Sequence, residues 1–579
     1  MKNRILTVEN FLYLAAFVIA AGLRFVGLGR ESLSDYEASL ALQALALSRG
    51  DLATISPQPF YVLWTGFVFF LFESSNLLAR LLPAFAGSIM TLGPYLYRKA
   101  LGRNSALFLA FGLALSPALV GASRQADGLT FSLCFATLAT GFFLNNSPAM
   151  AGIMAGLALL GGPTIWMLLF ILGVVFLWGR LFSPRERIEG EPQAEEVVSL
   201  ASSHHELPWR ATMPWVLGSF LFAGTLFFNQ LSGISAATSS LVSFFGGWSA
   251  PLKIGFAQFV IALVSGEALT FGLGLWALGR GWWYKNRLEM LLGRWFVVSL
   301  IFVLVYPSHR MIDAALVAIP LWCLASRQIE RWFQRLPEER LPSFVLAAAI
   351  LALYIFGWIN IAGTPTTQEL GGEIQLRWLS FAGAVIISLL MSVLVAWGWS
   401  PRVGGYGLRT GILGVLLIYL AFNAWSATGL GRQPAANPWR TAPYLQDSDL
   451  LAVTIEQFSS WKAMNRLAID LTVVGVDSPG LKWLLRNHQA VQYVESIAAD
   501  QNPSLVITPV RSSPLSGASY TGQDFNWKQS PAWSLMLPRE WMKWLFFREA
   551  PFEREAIVLW VRSDLFPGVE PEPAENKPQ

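Results

Sequence analysis

Long apolar runs recur through this sequence, and they leave it few ways to fold. A run of about 18 apolar residues crosses the hydrocarbon of a bilayer as a helix, because only there can every backbone group be satisfied within one segment. Such runs, some completed by their flanks, fall near 8–28, 79–97, 104–122, 128–144, 148–162, 164–181, 212–231, 256–279, 291–306, 311–326, 342–362, 377–398 and 409–429. Composition agrees: 54% of residues are hydrophobic and 13% charged, with mean hydropathy +0.47, about half the charge of a soluble domain. The 25 Trp and 40 Phe suit aromatic belts at both membrane faces. A net charge of +4 over 579 residues argues against nucleic acid as a partner. Cys134 and Cys323 lie inside apolar runs and read as small core hydrophobes. Residues 10–27 read as a first span, since no A-x-A-like cleavage site follows them.

Charge decides how the runs are threaded. Pro59 to Phe72 is as apolar as the spans. If it lies in the interface and the N-terminus is cytoplasmic, the basic clusters Arg98/Lys99/Arg103, Arg180/Arg185/Arg187, Arg280/Lys285/Arg287 and Arg327/Arg331/Arg335/Arg340 all fall inside. If it spans, every later cluster moves outside, against the positive-inside tendency. The reading is therefore about thirteen spans, with 59–72 as a juxtamembrane or re-entrant helix. The expected fold is an α-helical polytopic membrane protein carrying a C-terminal extracytoplasmic α/β domain. Its domains are 1–429, with 29–78 as the first external loop, then 430–566, then a disordered Pro/Glu-rich tail at 567–579.

In the C-terminal domain, Leu471–Val476 and Ser504–Thr508 read as buried strands flanking a helix at Pro479–Leu485, and Ala556–Val561 as a later strand. Trp541, Trp544, Phe546 and Phe547 suit either a membrane-surface anchor or domain core. The segment Pro184 to Trp209 reads as a polar linker; its His204/His205 lack further ligand spacing for a metal.

Charges at the membrane edge carry the chemistry. Ser34-Asp-Tyr-Glu37 matches a capping box, with Glu37 reaching back to the Ser34 amide. Asp35 then opens the helix, where its dipole favours a carboxylate. At about 100° per residue the two acids point about 200° apart, so one of them can face a small site. Ser123-Arg-Gln-Ala-Asp127 and Tyr306-Pro-Ser-His-Arg310, with Asp313, fall on the same side. Arg124–Asp127 and Arg310–Asp313 also read as plain neighbouring ion pairs. Glu267, inside the eighth apolar run, is costly at membrane depth and counts as a functional candidate.

Several local patterns in the first 330 residues resemble the GT-C superfamily of polyprenyl-phosphate-dependent glycosyltransferases, which includes protein mannosyltransferases and aminoarabinose transferases. They are Leu23-Arg-Phe-Val-Gly-Leu28, Glu37-Ala38 with Ala44, Ser56-Pro-Gln-Pro-Phe-Tyr61, Ala79-Arg-Leu-Leu-Pro83 with Gly87, Ser116-Pro117 followed by Ser123-Arg124, Ala151–Gly156, Gly162-Pro163 and Ala318-Ile-Pro320.

The resemblance implies an inverting membrane glycosyltransferase that moves a sugar from a polyprenyl-phosphate carrier to a glycan, lipid or protein acceptor on the extracytoplasmic side. A first-loop carboxylate then accepts a proton or holds the acceptor, and cations stabilise the departing phosphate. It assigns Asp35, Glu37 and Asp127 to catalysis and Arg124, His309, Arg310 and Lys253 to the carrier. Asp35 and Asp127 also become ligands to a divalent cation, Mg or Mn. The chain departs from the family's adjacent Asp-Glu: aligned on Glu37-Ala38, Tyr36 stands where the aspartate belongs. Two other readings follow from that departure and from Glu267: a noncatalytic GT-C scaffold that binds lipid-linked sugar, and a transporter or flippase.

Overall fold

The computed structural model describes all residues except 1–6, 52–53, 183–208, 253, 335–338, 363–370, 432, 499–500, 511, 513–517 and 567–579. His204, His205, Lys253 and the Pro/Glu-rich tail lie outside the described residues.

Each of the thirteen expected segments holds a helix. Helix α1 is Val8–Phe25, and α2, Asp35–Ser48, and α3, Pro59–Phe72, follow in the first loop. Then come α4 Asn76–Met90, α5 Arg98–Leu101, α6 Arg103–Leu115, α7 Pro117–Ser123, α8 Leu129–Leu144, α9 Pro148–Leu159 and α10 Pro163–Phe182. The second half holds α11 Trp209–Gly224, α12 Ser232–Gly246, α13 Phe256–Gly266, α14 Ala268–Trp283, α15 Arg287–Val305, α16 Ala314–Gln334, α17 Arg340–Ala362, α18 Gly371–Gly398 and α19 Pro401–Ala427.

Among the described residues, eight helices are long and apolar enough to cross a membrane, or up to ten if each bent pair is one span. The chain is a multi-pass membrane protein. The bent pairs are α6–α7, by 56°, and α13–α14, by 92°. The eighth expected span, over 256–279, is thus two helices meeting at Gly266–Glu267. Pro117, which cannot donate to the α6 ladder, breaks the first pair. At the second, Gly266 admits the Trp439 ring, to which a Cβ would come within 2.5 Å. Helix α3, at 14 residues, ends before it could cross the hydrocarbon.

Beyond α19 the chain forms a six-stranded mixed sheet. Its strands are β1 Tyr444–Leu445, β2 Leu471–Val474, β3 Val491–Val494, β4 Leu505–Pro509, β5 Tyr520–Pro531 and β6 Phe552–Arg562, in the order β1-β5-β6-β4-β2-β3. Strand β2 pairs parallel with β3 and β4, and β6 pairs antiparallel with β4 and β5. Helices α20, Ser448–Ala463, and α21, Pro479–Leu484, belong to this domain. Leu451, Leu471, Leu481, Ile507, Trp527 and Leu559 are in its core. Helix α22, Pro538–Phe547, leaves that core. Trp544 is buried with the membrane helices and donates its indole N–H to the Ala436 carbonyl at 3.1 Å. Phe546 rings with Trp358 at 5.5 Å and Trp378 at 5.2 Å. The terminal aromatics are therefore a plug on the helix ends.

Candidate functional site

Helix α2 begins as the sequence dictates. Ser34 is its N-cap, the Ser34 N–H and hydroxyl donate to Glu37 Oε2 at 3.1 and 2.9 Å, and the capping box is complete. Glu37 does more than cap. Arg80, from α4, donates Nε to Glu37 Oε1 at 2.7 Å and Nη2 to Oε2 at 2.8 Å, a two-point grip on a carboxylate 2% exposed. The Ala126 N–H adds a bond at 3.1 Å. Burial alone would raise this carboxyl, but Arg80 and the backbone donors hold it down at about 2. Arg80 Nη1 also donates to the carbonyls of Leu28 and Glu31, and Nη2 to that of Ser32. This pair staples the first loop to the membrane domain.

One turn of α2 separates three neighbouring residues into three roles. Asp35 faces the C-terminal domain: it accepts the Gly480 N–H at 2.9 Å, the Ser478 hydroxyl, and Lys528 Nζ at 3.0 Å. Tyr36 faces the membrane domain. Its hydroxyl donates to Asp127 Oδ2 at 2.7 Å and accepts from Gln58 Nε2 at 2.8 Å and Arg310 Nη1 at 2.6 Å. The structure thus brings Asp127 and Arg310 together, with Tyr36 and Gln58, from four separate segments. It does not bring Asp35 to them.

Asp127 is fully buried. It accepts the Leu129 N–H at 2.6 Å and pairs with Arg310. Gln58 is held by the Gly128 N–H, which donates to its Oε1 at 2.8 Å. The Arg310 side chain is 23% exposed against 0% for Asp127, and it also contacts Asp313 Oδ1 at 3.5 Å. The Arg310 N–H donates to Asp313 Oδ2 at 2.7 Å. Burial would lower the guanidinium's pKa, but Asp127, Tyr36 and Asp313 raise it well above the ordinary value. Burial also raises the Tyr36 phenol, with Arg310 opposing and Asp127 reinforcing. Tyr36 is therefore a neutral donor between a carboxylate and a guanidinium.

The other candidates stand elsewhere. Arg124 donates Nη1 to the carbonyls of Leu23, Arg24 and Val26 at 2.9 to 3.0 Å, closing the C-terminal end of α1; burial depresses its pKa to about 10. The neighbouring Arg124–Asp127 pair does not form, whereas Arg310–Asp313 does. His309 bonds the Tyr306 carbonyl through Nδ1 at 2.8 Å, and its buried Nε2 has no partner among the described residues. The structure does not bring Asp35 and Asp127 to one shared site: Asp35 bonds Gly480, Ser478 and Lys528, and Asp127 bonds Leu129, Tyr36 and Arg310. No cluster of three or more His, Cys, Asp or Glu able to hold a metal occurs among the described residues, and the oxygens of both aspartates are engaged by N–H, O–H and cationic donors. These residues do not fit a metal ion.

Sequence reading passed over Tyr36 as a misfit and assigned nothing to Gln58 or Arg80. All three stood inside quoted patterns, and the signal available was a polar side chain in an apolar context.

The overall fold is similar to that of ArnT from Cupriavidus metallidurans bound to undecaprenyl phosphate, with TM-score 0.54 and 14% identity over 96% of this chain and 98% of that one. The apo state of the same protein aligns with TM-score 0.51 and 16% identity over the same shares. No family model matches the chain, and no curated protein sequence does. The helical membrane domain, the first loop with its two helices and the mixed α/β domain together give this chain the fold of those two structures.

Proposed function

We propose that this protein transfers a sugar from a polyprenyl-phosphate carrier to an acceptor on the extracytoplasmic side of a cell membrane, with Asp127 and Arg310 at the reacting centre. The observation that carries the reading is the buried Asp127–Arg310 pair, assembled from distant segments around Tyr36 and Gln58. A buried pair of this kind is weak evidence for stability, and a buried ionisable cluster gathered from distant segments is a functional-site candidate. The likeness to a protein solved with undecaprenyl phosphate supports the class of donor.

The reaction is a single displacement. The acceptor oxygen attacks the anomeric carbon, the bond from that carbon to the carrier phosphate oxygen breaks, and the anomeric centre inverts. Asp127 takes the acceptor's proton. Arg310, the exposed end of the pair, turns to the phosphate and balances the charge that develops on it. Tyr36 and Gln58 keep Asp127 oriented when Arg310 moves. Asp35 holds the C-terminal domain over the first loop. The N-terminus is cytoplasmic and the C-terminal domain extracytoplasmic, which keeps the basic loops inside.

A panel of radiolabelled polyprenyl-phosphate sugars added to membranes containing the protein tests this. Release of sugar from at least one carrier is expected; intact carriers throughout, with the lipid bound, favour the noncatalytic scaffold. The bends at Ser116–Pro117 and Gly266–Glu267 are the feature that a transporter reading would use. Equilibration of an intact carrier across the bilayer, without release, would favour it.

A further inference from the structure

Glu267 stands apart from the cluster at Asp127. Its carboxylate is fully buried at the break between α13 and α14, and its hydrogen-bond partners are neutral donors. Oε1 accepts from the Ser116 hydroxyl and from the Ala118 N–H at 3.4 Å. Oε2 accepts from the Thr270 hydroxyl at 3.0 Å and the Trp322 indole N–H at 3.2 Å. Among the described residues it makes no ion pair, and burying a carboxylate without one is costly. A glycine and a packed ring would suffice to break a helix, so the bend alone does not account for this acid.

Its partners lead away in two directions. Ser116 and Ala118 sit at the bend of α6 and α7, and α7 ends at Ser123, just before Asp127. Trp322 lies on α16, which starts directly after Asp313. Nine residues separate Trp322 from Asp313, about 14 Å of helix at 1.5 Å per residue. One carboxylate thus joins the element that leads into Asp127 to the element that follows Arg310.

Close packing makes both arms stiff. Gly112 of α6 leaves room for the Trp322 ring, where a Cβ would fall 2.1 Å from it. Trp439 lies against Gly121 of α7 and against Gly266, where added Cβ atoms would fall 2.6 and 2.5 Å away. Gln125 Nε2 donates to the Trp439 carbonyl at 2.6 Å.

We infer that Glu267 is a positioning residue: it ties the α6–α7 bend to α16 and so fixes where Asp127 meets Arg310. The inference rests on the reading of Asp127 and Arg310 as the reacting pair. Glu267 itself touches no reacting atom.

Amide hydrogen exchange on the full chain in nanodiscs, followed by mass spectrometry, tests the coupling without reference to activity. Glu267→Gln keeps the shape but turns an NH2 toward two of the donors. It is expected to speed exchange at least tenfold in both 119–129 and 308–316. Ser116→Ala should loosen the first segment alone, and Trp322→Phe the second alone. If Glu267→Gln quickens only 263–270, the acid is a local cap and the inference is wrong. Should that variant fail to fold, the two single-donor variants decide, and exchange unchanged in both segments overturns the inference.

Kinetics then separate positioning from binding. Glu267→Gln should lower kcat for sugar release at least tenfold, with KM for the carrier within twofold; a raised KM at unchanged kcat contradicts the inference. If the wild type releases no sugar, the proposed function fails, while the exchange pattern still decides whether Glu267 joins the two arms.

Discussion

Asp35 Oδ1 accepts the backbone N–H of Gly480 at 2.9 Å, so the carboxylate that opens the first-loop helix faces the C-terminal domain. Its next neighbour, Tyr36, faces Asp127. Adjacent helical residues lie about 100° apart, and that angle divides an interdomain tie from a buried polar centre.

Other ties back up the Asp35 contact. Arg440 meets Glu31 at 2.6 Å, the Trp483 indole donates to Asn76 at 2.8 Å, and Arg486 bonds Ser74. Asp35→Ala should therefore leave the domain docked, with a loss of about 1 kcal/mol, in the range of partly exposed polar contacts. Thermal unfolding of the full chain should shift by a few degrees, and sugar release should fall less than tenfold. A loss as deep as that of Asp127→Asn would return Asp35 to the reacting centre.

Glu37→Gln leaves Arg80 buried without the carboxylate that grips it, a change that costs about 3–5 kcal/mol. Sharply reduced folded yield is expected before any kinetic effect is seen. The sign with pH follows from the depressed carboxyl: at about 2 when folded against 4.5 ordinarily, its contribution is full above 4.5 and is lost as pH falls toward 2. Acid unfolding of the wild type should show this step, and Glu37→Gln should flatten it.

His488 gives a second pH signature, in the C-terminal domain. Both ring nitrogens are buried without a hydrogen-bond partner among the described residues. Burial lowers its pKa below 6.5, and Glu456 opposes the shift. The folded state then takes up a proton less readily than the unfolded one. Stability from this group is present above pH 6.5 and declines as pH falls through the folded pKa. The melting temperature should drop between pH 7.5 and 5.5, and His488→Leu should reduce that drop.

Glu73 closes α3 with φ 64° and ψ 177°, a conformation that favours glycine. Its side chain is exposed, so Glu73→Gly removes strain with little packing lost. A gain of about 1 kcal/mol is expected, read as a rise of a few degrees in melting temperature.

Much of the fold was legible because bilayer physics writes it in bold: apolar length gave the helices, and loop charge set 59–72 apart from the spans. The capping box at Ser34–Glu37 was readable for the same local reason, as were β2, α21 and β4 from their continuous apolar residues. The two bends were harder. Pro117 was visible as a breaker, but the break at Glu267 depends on Trp439, 172 positions later in the chain, and that ring's approach leaves no local trace. Strand β5 buries Phe525, Trp527 and Gln529 in strict alternation between polar residues, a pattern of period two that its charged context conceals.

The site was legible by residue type and not by geometry. Asp127 and Arg310 were identifiable as acid and base at one membrane face. Their pairing with each other, rather than with Arg124 and Asp313 alone, comes from α7 and the 306–310 turn meeting in space. Tyr36 was set against a family aspartate, which hid what a phenol can do beside a buried carboxylate.

The measurement that bears most directly on the account compares wild type, Asp127→Asn and Asp35→Asn in the same membranes, with sugar release from a labelled polyprenyl-phosphate carrier as the readout. Loss of a general base lowers rates by about 10²–10⁴. A loss of that size is expected in Asp127→Asn, with the carrier still bound, and near wild-type release in Asp35→Asn. Undiminished release from Asp127→Asn would contradict it.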